Sequence, residues 1–171
     1  MQNTAVPRKW SEIKGLAVVA MDTGMKVGSL DDFYFDPQQS SVYALLIKTS
    51  LFAHRVLPTS DISAIGVDAV TFATEDQLIK EKSDDLITKL PLGSTILSYN
   101  VLSEGGTVIG KIGNILLDVS TPNALKVVTF ELAAGLRARI SQRYPTFDAK
   151  QVIRYGQDLV VIPDAVAVAL Q

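Results

Sequence analysis

The sequence has 171 residues, of which 47% are hydrophobic and 20% charged, and this balance excludes a disordered chain because enough apolar surface can be buried. The formal net charge of −2 and the pI near 5.3 argue against a general nucleic-acid binder, which is usually basic. The absence of cysteine excludes disulfides, thiolate metal sites and cysteine nucleophiles.

The first predicted elements are an N-terminal arm and a β-hairpin. Residues 1–11 show no apolar period, which is typical of a mobile arm, and Trp10 is expected to pin its end against the module that follows. A β-rich run over 16–20 ends at a turn in which Gly24 supplies the positive φ of a tight hairpin. In the returning strand, Gly28 marks the kink or bulge that a small barrel needs.

Three more strands complete the first predicted module, residues 12–74. After a turn at Asp36, a nearly continuous apolar run over 42–48 is typical of a strand that is buried on both faces. Two shorter strands follow over 54–58 and 68–72. Short strands separated by turn signals predict a small barrel or a sandwich.

A linker helix is predicted over 75–91. Thr74 and Gln77 have the spacing of a capping box, in which each side chain bonds the backbone amide of the other residue. The apolar residues that follow recur with the period of a helix, and Pro91 ends the pattern. The sequence therefore predicts an amphipathic α-helix between two modules.

A second copy of the first module is indicated by a repeated motif, Gly-x-x-h-Gly-x-h-x-x-h-x-h-Asp, in which h is apolar. Gly28 and Gly110 are 82 positions apart, as are Asp36 and Asp118. A fixed spacing of this kind predicts a structural repeat. In the second copy, Gly106 and Gly110 take the places of the turn and kink glycines.

The repeat sets the remaining boundaries. The second module is predicted over 92–163, followed by a C-terminal tail over 164–171 for which the pattern leaves a short helix or an alternating strand open. The spacing of corresponding residues grows from 82 to 90 along the second copy, which predicts two insertions between Phe130 and Tyr155.

The first module resembles a PRC-barrel domain, and the second is a more diverged match. The resemblance rests on Asp22-Thr23-Gly24-Met25-Lys26-Val27-Gly28, the Asp36 turn, the buried strand over 42–47, the Leu57-Pro58 step and the ending Ile65-Gly66-Val67-Asp68. It implies a mainly β fold of two tandem small, highly bent β-barrels joined by a helix. It also implies a role in interaction or assembly, as in the photosynthetic reaction-centre H subunit, and no catalytic residue set.

A glycine-rich stretch invites a second interpretation. The spacing from Gly105 to Gly110 and Lys111 matches most of a phosphate-binding loop, but Ile112 stands where a Ser or Thr must bind magnesium. Strand-like residues follow instead of the helix whose N-terminus would face the phosphate. The β-hairpin interpretation is therefore favoured over the phosphate loop.

Other candidate site residues also have structural alternatives. The single histidine, His54, is either a general base or a surface residue, and the surface role is favoured because no Ser or Cys nucleophile motif accompanies it. Asp36 and Asp118 either bond the backbone of turns or bind a metal, and the turn role is favoured by their positions. The sequence predicts no catalytic residue, cofactor or metal site.

A basic stretch lies between Ala133 and Tyr155. Its five basic residues stand against one acid, Asp148, which gives a local charge of +4 in a chain of net charge −2. The basic residues are Arg137, Arg139, Arg143, Lys150 and Arg154. Either these side chains are simply solvated, or they contact an acidic or phosphate-bearing partner, for which the planar guanidinium group is suited.

Three functions from different classes stay open. The favoured hypothesis is a non-catalytic protein-interaction module that assembles a larger complex, including a membrane-associated or photosynthetic one. The alternatives are an RNA- or ribosome-maturation accessory factor, by analogy with the maturation factors whose C-terminal domain shares the family, and an enzyme with an unrecognised site. Since no run of about 18 apolar residues occurs, we expect a cytoplasmic protein without a membrane span. Self-association is left open.

Overall fold

The computed structural model of the protein describes residues 6–133 and 144–171. This part of the chain is mainly β. Its strands are β1 (Arg8–Lys9), β2 (Ala17–Ala20), β3 (Met25–Asp36), β4 (Ser41–Ser50), β5 (Ala53–Pro58), β6 (Ile62–Ile65), β7 (Ala69–Phe72), β8 (Asn100–Ser103), β9 (Val108–Asp118), β10 (Lys126–Leu132), β11 (Thr146–Asp148), β12 (Arg154–Tyr155) and β13 (Leu159–Ile162). Its short α-helices are α1 (Trp10–Ile13), α2 (Gly93–Ile96) and α3 (Asp164–Ala169).

Single turns of 3-10 helix connect several of these elements. They span Thr59–Asp61, Glu75–Gln77, Glu81–Ser83, Ile87–Lys89, Pro122–Ala124 and Ala149–Gln151. Two of them begin with a capping box, one formed by Thr74 and Gln77 and the other by Asp148 and Gln151. A capping box satisfies backbone amides that have no partner within the turn, so both turns are fixed locally.

The first half of the molecule (17–72) contains β2 to β7. An antiparallel meander runs from β2 through β3 and β4 to β5. β7 pairs antiparallel with β6 and parallel with β2. Along β2 and β7, alternate residues such as Val18 and Phe72 are buried, as expected for strands with one face on a core.

The second half (100–162) contains β8 to β13 and has the same order of pairings. β8, β9, β10 and β11 form an antiparallel meander. β13 pairs antiparallel with β12 and parallel with β8. The first strand of each half is therefore paired with the last one, although the sheet is not closed.

The halves share one sheet and one core. β4 and β10 are joined antiparallel at Ser41 and Lys126, which connects the strands of both halves. Phe35 of the first half makes edge contacts with Phe130 and Tyr155 of the second, at centroid distances of 6.5 and 5.3 Å. The expected pair of separate closed barrels is therefore not confirmed, because apolar residues of both halves are buried in a single cluster.

The turn and kink glycines occupy corresponding positions in the two halves. Gly24 and Gly106 have φ values of +68° and +90°, which residues other than glycine rarely adopt. Gly28 pairs with Val18 next to a register shift between β2 and β3, and Gly110 lies next to the corresponding shift between β8 and β9.

The prediction of an α-helix in the linker over 75–91 is wrong. Ile79 instead forms a bridge with Val56, donating to its carbonyl at 2.9 Å and accepting from its amide at 2.8 Å. This pairing holds the backbone extended on both sides of Ile79, so the helical period cannot continue. Ile79, Ile87 and Leu90 of this segment belong to the apolar cluster that contains Tyr34 and Leu46.

The prediction of a mobile arm over 1–11 is wrong for residues 8–11. Lys9 pairs with Leu116 of the second half, and Trp10 is buried with its ring centroid 4.9 Å from that of Phe33 in the first half. Apolar burial of a tryptophan is the reason that this segment is fixed. The segment therefore contacts both halves.

The C-terminal tail adopts the helical alternative. α3 begins after Pro163, whose fixed φ suits a helix start, and the carboxylate of Asp164 accepts a hydrogen bond of 2.9 Å from the Gly105 amide. The tail is thereby held against the β8–β9 turn.

The two insertions are placed differently from the prediction. Five positions separate Asp36 from its partner Ser41, whereas eight separate Asp118 from its partner Lys126. One insertion therefore precedes β10, and only the other follows Phe130. The spacing of corresponding residues is therefore 82 at Asp118 and 85 at Lys126, and the continuous apolar run of β10 does not by itself reveal this shift of three residues.

Candidate interaction surfaces

Four exposed apolar side chains lie on two neighbouring hairpin turns, and we call this group the apolar end. Phe52 and Leu51 at the β4–β5 turn are 91% and 72% exposed. Met21 and Met25, which flank the β2–β3 turn, are 61% and 62% exposed. Exposed apolar residues that are scattered singly are common, whereas a group of four on two neighbouring turns makes this end of the molecule a candidate contact surface.

Strand direction explains why these turns lie together. β2 to β5 form a consecutive antiparallel meander. Its first and third turns therefore lie at one end of the strands, and its second turn, at 37–40, lies at the opposite end. The hydroxyl of Thr49 donates to the Ala53 carbonyl at 3.2 Å across the base of the β4–β5 turn. The turn therefore presents Leu51 and Phe52 outward on a hydrogen-bonded base.

Charges of both signs surround the apolar end. Lys26 follows Met25 on β3, and Lys48 and Arg55 lie on β4 and β5. Asp22 in the β2–β3 turn and Glu75, which shares a shallow cleft with Lys26 and Arg55, balance them. A mixed polar rim around an apolar centre is the usual anatomy of a protein–protein interface.

The single histidine belongs to this rim. Nε2 of His54 lies 3.0 Å from Oδ2 of Asp31, and both side chains are partly exposed. The His54 carbonyl accepts a hydrogen bond of 2.9 Å from Nη1 of Arg55. Nucleophilic catalysis would require a hydroxyl or thiol group beside the histidine. Among the described residues, the imidazole of His54 is hydrogen-bonded to the carboxylate of Asp31 instead.

Two grooves flank the junction of β4 and β10. The first groove has a volume of about 460 Å³ and lies along the start of β4, between Asp36 and the turn at Thr59–Asp61. The second groove has a volume of about 500 Å³ and lies along the start of β10, between Asp118 and the turn at Ala149–Gln151. Lys126 borders both grooves.

The grooves occupy corresponding places in the two halves but differ in chemistry. Ser41 and Ser60 in the first groove correspond by strand register and turn position to Lys126 and Lys150 in the second. In the first groove, the hydroxyl of Tyr43 donates to Asp84 at 2.8 Å. The second groove is therefore bordered by two lysines, Lys126 and Lys150, whereas the first is bordered by Lys126 alone.

The carboxylates of the turns have local hydrogen bonds. Asp36 accepts from the Gln38 amide at 3.0 Å, and Asp118 accepts from the amide of Ser120 at 3.0 Å and from its hydroxyl at 2.6 Å. The hydrogen bonds from Ser120 hold the pKa of Asp118 below its ordinary value, with a smaller contribution from the charge of Lys126. These are the turn contacts that the sequence favoured over metal binding.

The predicted partner-binding residues are only partly visible. Lys150 borders the second groove, whereas the exposed Arg154 lies on β12 paired with Val161 and does not border it. Arg137, Arg139 and Arg143 lie outside the residues that the structure describes. The second groove was not predicted, because it forms where segments far apart in the sequence meet.

The glycine-rich stretch from Gly105 to Lys111 forms part of the turn between β8 and β9 and the first residues of β9. Lys111 lies within β9, which continues to Asp118 as a strand. A phosphate-binding loop requires a helix after its glycines, so the hairpin interpretation is confirmed here. Within the two described ranges, no group of three or more His, Cys, Asp or Glu side chains is placed to hold a metal ion.

Comparison with protein families identifies a PRC-barrel domain at residues 8–78. The match covers the N-terminal segment, the whole first half and the start of the linker. None of the curated proteins matches the chain. In the described part of the chain, no helix is long and apolar enough to cross a membrane.

Proposed function

We propose that the protein is a non-catalytic protein-interaction module that assembles a larger complex through the apolar end. The observation that carries this proposal is the exposure of Phe52 and Leu51, 91% and 72%, at a turn whose base is hydrogen-bonded. Aromatic side chains dominate binding energy when a partner buries them, because their area is large and few torsions are lost. Phe52 is accordingly the anchor residue of the proposed contact.

Methionines next to this anchor favour a protein surface as the partner. Unbranched thioether side chains adapt to irregular apolar surfaces and are frequent at contacts that must fit another protein. Met21 and Met25 enlarge the contact beyond the tip of one hairpin. The rim formed by Lys26, Asp22 and Arg55 would add specificity and association rate more than affinity.

We also propose that residues 92–163 form a second PRC-barrel-like unit. The repeated order of strand pairings and the corresponding bulges near Gly28 and Gly110 support this. β4 and β10 leave their junction in opposite directions, so the β4–β5 turn and the end of β10 at Leu132 point away from each other. A module built in this way would hold two partners apart, and the basic residues after β10 are the proposed second contact.

The proposal is tested by capture from native cell extract with Phe52→Ser. We expect the specific partner to be lost from this variant and retained by Val67→Ser, which removes another exposed apolar side chain, 83% exposed, on the turn between β6 and β7. Thermal melting of both variants checks that the fold is unchanged.

Two results would count against the proposal. Equal capture by the parent, Phe52→Ser and Val67→Ser would show that the apolar end does not bind the partner. A partner that is lost after ribonuclease treatment, with a steep dependence on salt, would instead favour the RNA-related alternative.

A further inference from the structure

We infer that the second groove binds a small ligand that carries a carboxylate or phosphate group, held between Lys126 and Lys150. This site is separate from the apolar end and does not depend on the proposed protein contact. Its ligand is small because the groove volume, about 500 Å³, is that of a site for a metabolite-sized molecule.

The fold itself does not need these lysines. Lys126 begins β10 opposite Asp118, and Ser41 begins β4 opposite Asp36 in the same way. The middle residue of the 3-10 turn is Lys150 in the second half and Ser60 in the first. Since serines suffice at the corresponding positions of the first half, folding does not require the two lysines. Their ammonium groups instead add positive charge to the groove.

The carboxylates of the groove are already committed. Asp118 accepts both hydrogen bonds of Ser120, and Asp148 belongs to the capping box with Gln151. Within the described residues, neither Lys126 nor Lys150 has a carboxylate oxygen within 4.0 Å. Both ammonium groups therefore retain donors for an anion, although the nearby acids keep the site close to neutral before a ligand enters.

The remaining walls suit the rest of an organic anion. The polar residues Gln38, Gln39, Ser40 and Thr129 line the groove, and Pro7 and Val128 are apolar residues that also line it. Lysine binds carboxylate and phosphate as a point charge, so the two groups are not distinguished by the ammonium pair. The shared chemistry is an anionic head with a short polar or apolar body.

The test is a titration of the isotopically labelled full chain, followed by backbone amide NMR shifts, with citrate and with inorganic phosphate as separate probes. Potassium chloride at matched ionic strength is the control for screening. We expect saturable shifts of amides around Lys126 to Thr129 and Gln38 to Ser40. A larger response to citrate would identify a carboxylate ligand, and a larger response to phosphate would identify a phosphate ligand.

The double variant Lys126→Ser/Lys150→Ser carries the residues that the first half has at these places. Loss of two charge-assisted hydrogen bonds should weaken binding by at least about tenfold. Lys80→Ser/Lys82→Ser, on exposed residues of the linker, should leave binding unchanged. Partner capture through Phe52 should persist in both variants, which separates this site from the proposed function.

The inference is overturned if neither probe gives saturable shifts, or if the chloride control reproduces them. It is also overturned if Lys126→Ser/Lys150→Ser binds as tightly as the parent while its spectrum shows an intact fold.

Discussion

The buried carboxylate of Asp32 accepts hydrogen bonds from Ser94, which lies 62 positions away at the start of helix α2, the helix that leads into the second half. Oδ1 of Asp32 accepts from the Ser94 amide at 3.1 Å and from the Phe33 amide at 2.9 Å, and Oδ2 accepts from the Ser94 hydroxyl. One side chain therefore fixes both its own strand and the entry to the other half.

The second half makes a corresponding contact with the segment that leads into the first half. Asn114 accepts from the Ile115 amide at 2.9 Å, and its side-chain amide donates to the Ser11 hydroxyl at 2.8 Å. The backbone exchange is also reciprocal, since Lys9 pairs with Leu116 and Leu92 pairs with Tyr34. Each half thus holds the segment that leads into the other, which explains why the core is shared.

Replacing Asp32 should therefore destabilise the whole molecule. Asp32 is 6% exposed, and Asp32→Ala leaves the buried amide of Phe33 and the two donors of Ser94 without their acceptor. We expect a loss of about 2–3 kcal/mol in the free energy of unfolding, measured by urea denaturation.

Asn114→Ala is the matched control, because it removes the corresponding contact from a side chain that is only half-buried. Its cost should be smaller, since water can replace the lost acceptor. Equal free energies for Asp32→Ala and the parent would show that the contact between the halves contributes no net stability.

Local backbone chemistry could be predicted from the sequence. Gly24 and Gly106 have the positive φ that their turns require, and Asp36 bonds the amide two residues on. Each of these features depends on residues within a few positions, so the motif alone determines it. The PRC-barrel domain at 8–78 could be recognised for the same reason.

Features that depend on distant segments could not be predicted. The apolar pattern of the linker predicts a helix. Ile79 instead gains two backbone hydrogen bonds by pairing with Val56, and this tertiary pairing overrides the helical period of the apolar residues. The pairing of Lys9 with Leu116 and the formation of the second groove likewise require knowledge of which elements meet. Sequence spacing contains no direct measure of these contacts.

Gly28 and Gly110 make a matched pair for a second prediction. A Cβ on Gly28 would lie 2.3 Å from the Lys48 carbonyl oxygen, whereas a Cβ on Gly110 would meet only the Leu132 methyl groups at 3.9 Å. Gly28→Val should therefore cost about 1–3 kcal/mol or more, and Gly110→Val much less. Thermal melts of the two variants check this, and equal melting temperatures would contradict it.

The third prediction concerns the basic residues outside the described ranges. Replacing Arg137, Arg139 and Arg143 with Glu should leave the melting temperature nearly unchanged, because exchanges among charged residues seldom decide stability. It should weaken capture of an acidic partner, most strongly at low ionic strength where charge attraction is least screened. If the triple variant captures the partner as well as the parent does at low salt, the interpretation that these arginines are simply solvated is favoured.

The last prediction concerns Tyr155, which packs between Phe35 and Phe130. Its buried hydroxyl has no hydrogen-bond partner within the described residues, since the nearby Ser40 hydroxyl does not reach hydrogen-bond geometry. Tyr155→Phe should therefore keep or raise the melting temperature at neutral pH, because it removes an unsatisfied polar group without leaving a cavity.

The same side chain makes the stability of the protein fall in alkali. Burial raises the pKa of Tyr155 to about 12, above the ordinary value of about 10, so the folded state holds the phenolic proton more tightly than the unfolded state does. This contribution is fully present below about pH 10 and is lost as the pH rises towards about 12. Burial also raises the pKa of Tyr34 and Tyr99, so the parent and Tyr155→Phe should both weaken in this range. Urea denaturation at stepped pH should show a shallower decline for Tyr155→Phe, and parallel curves for the two proteins would contradict the assignment.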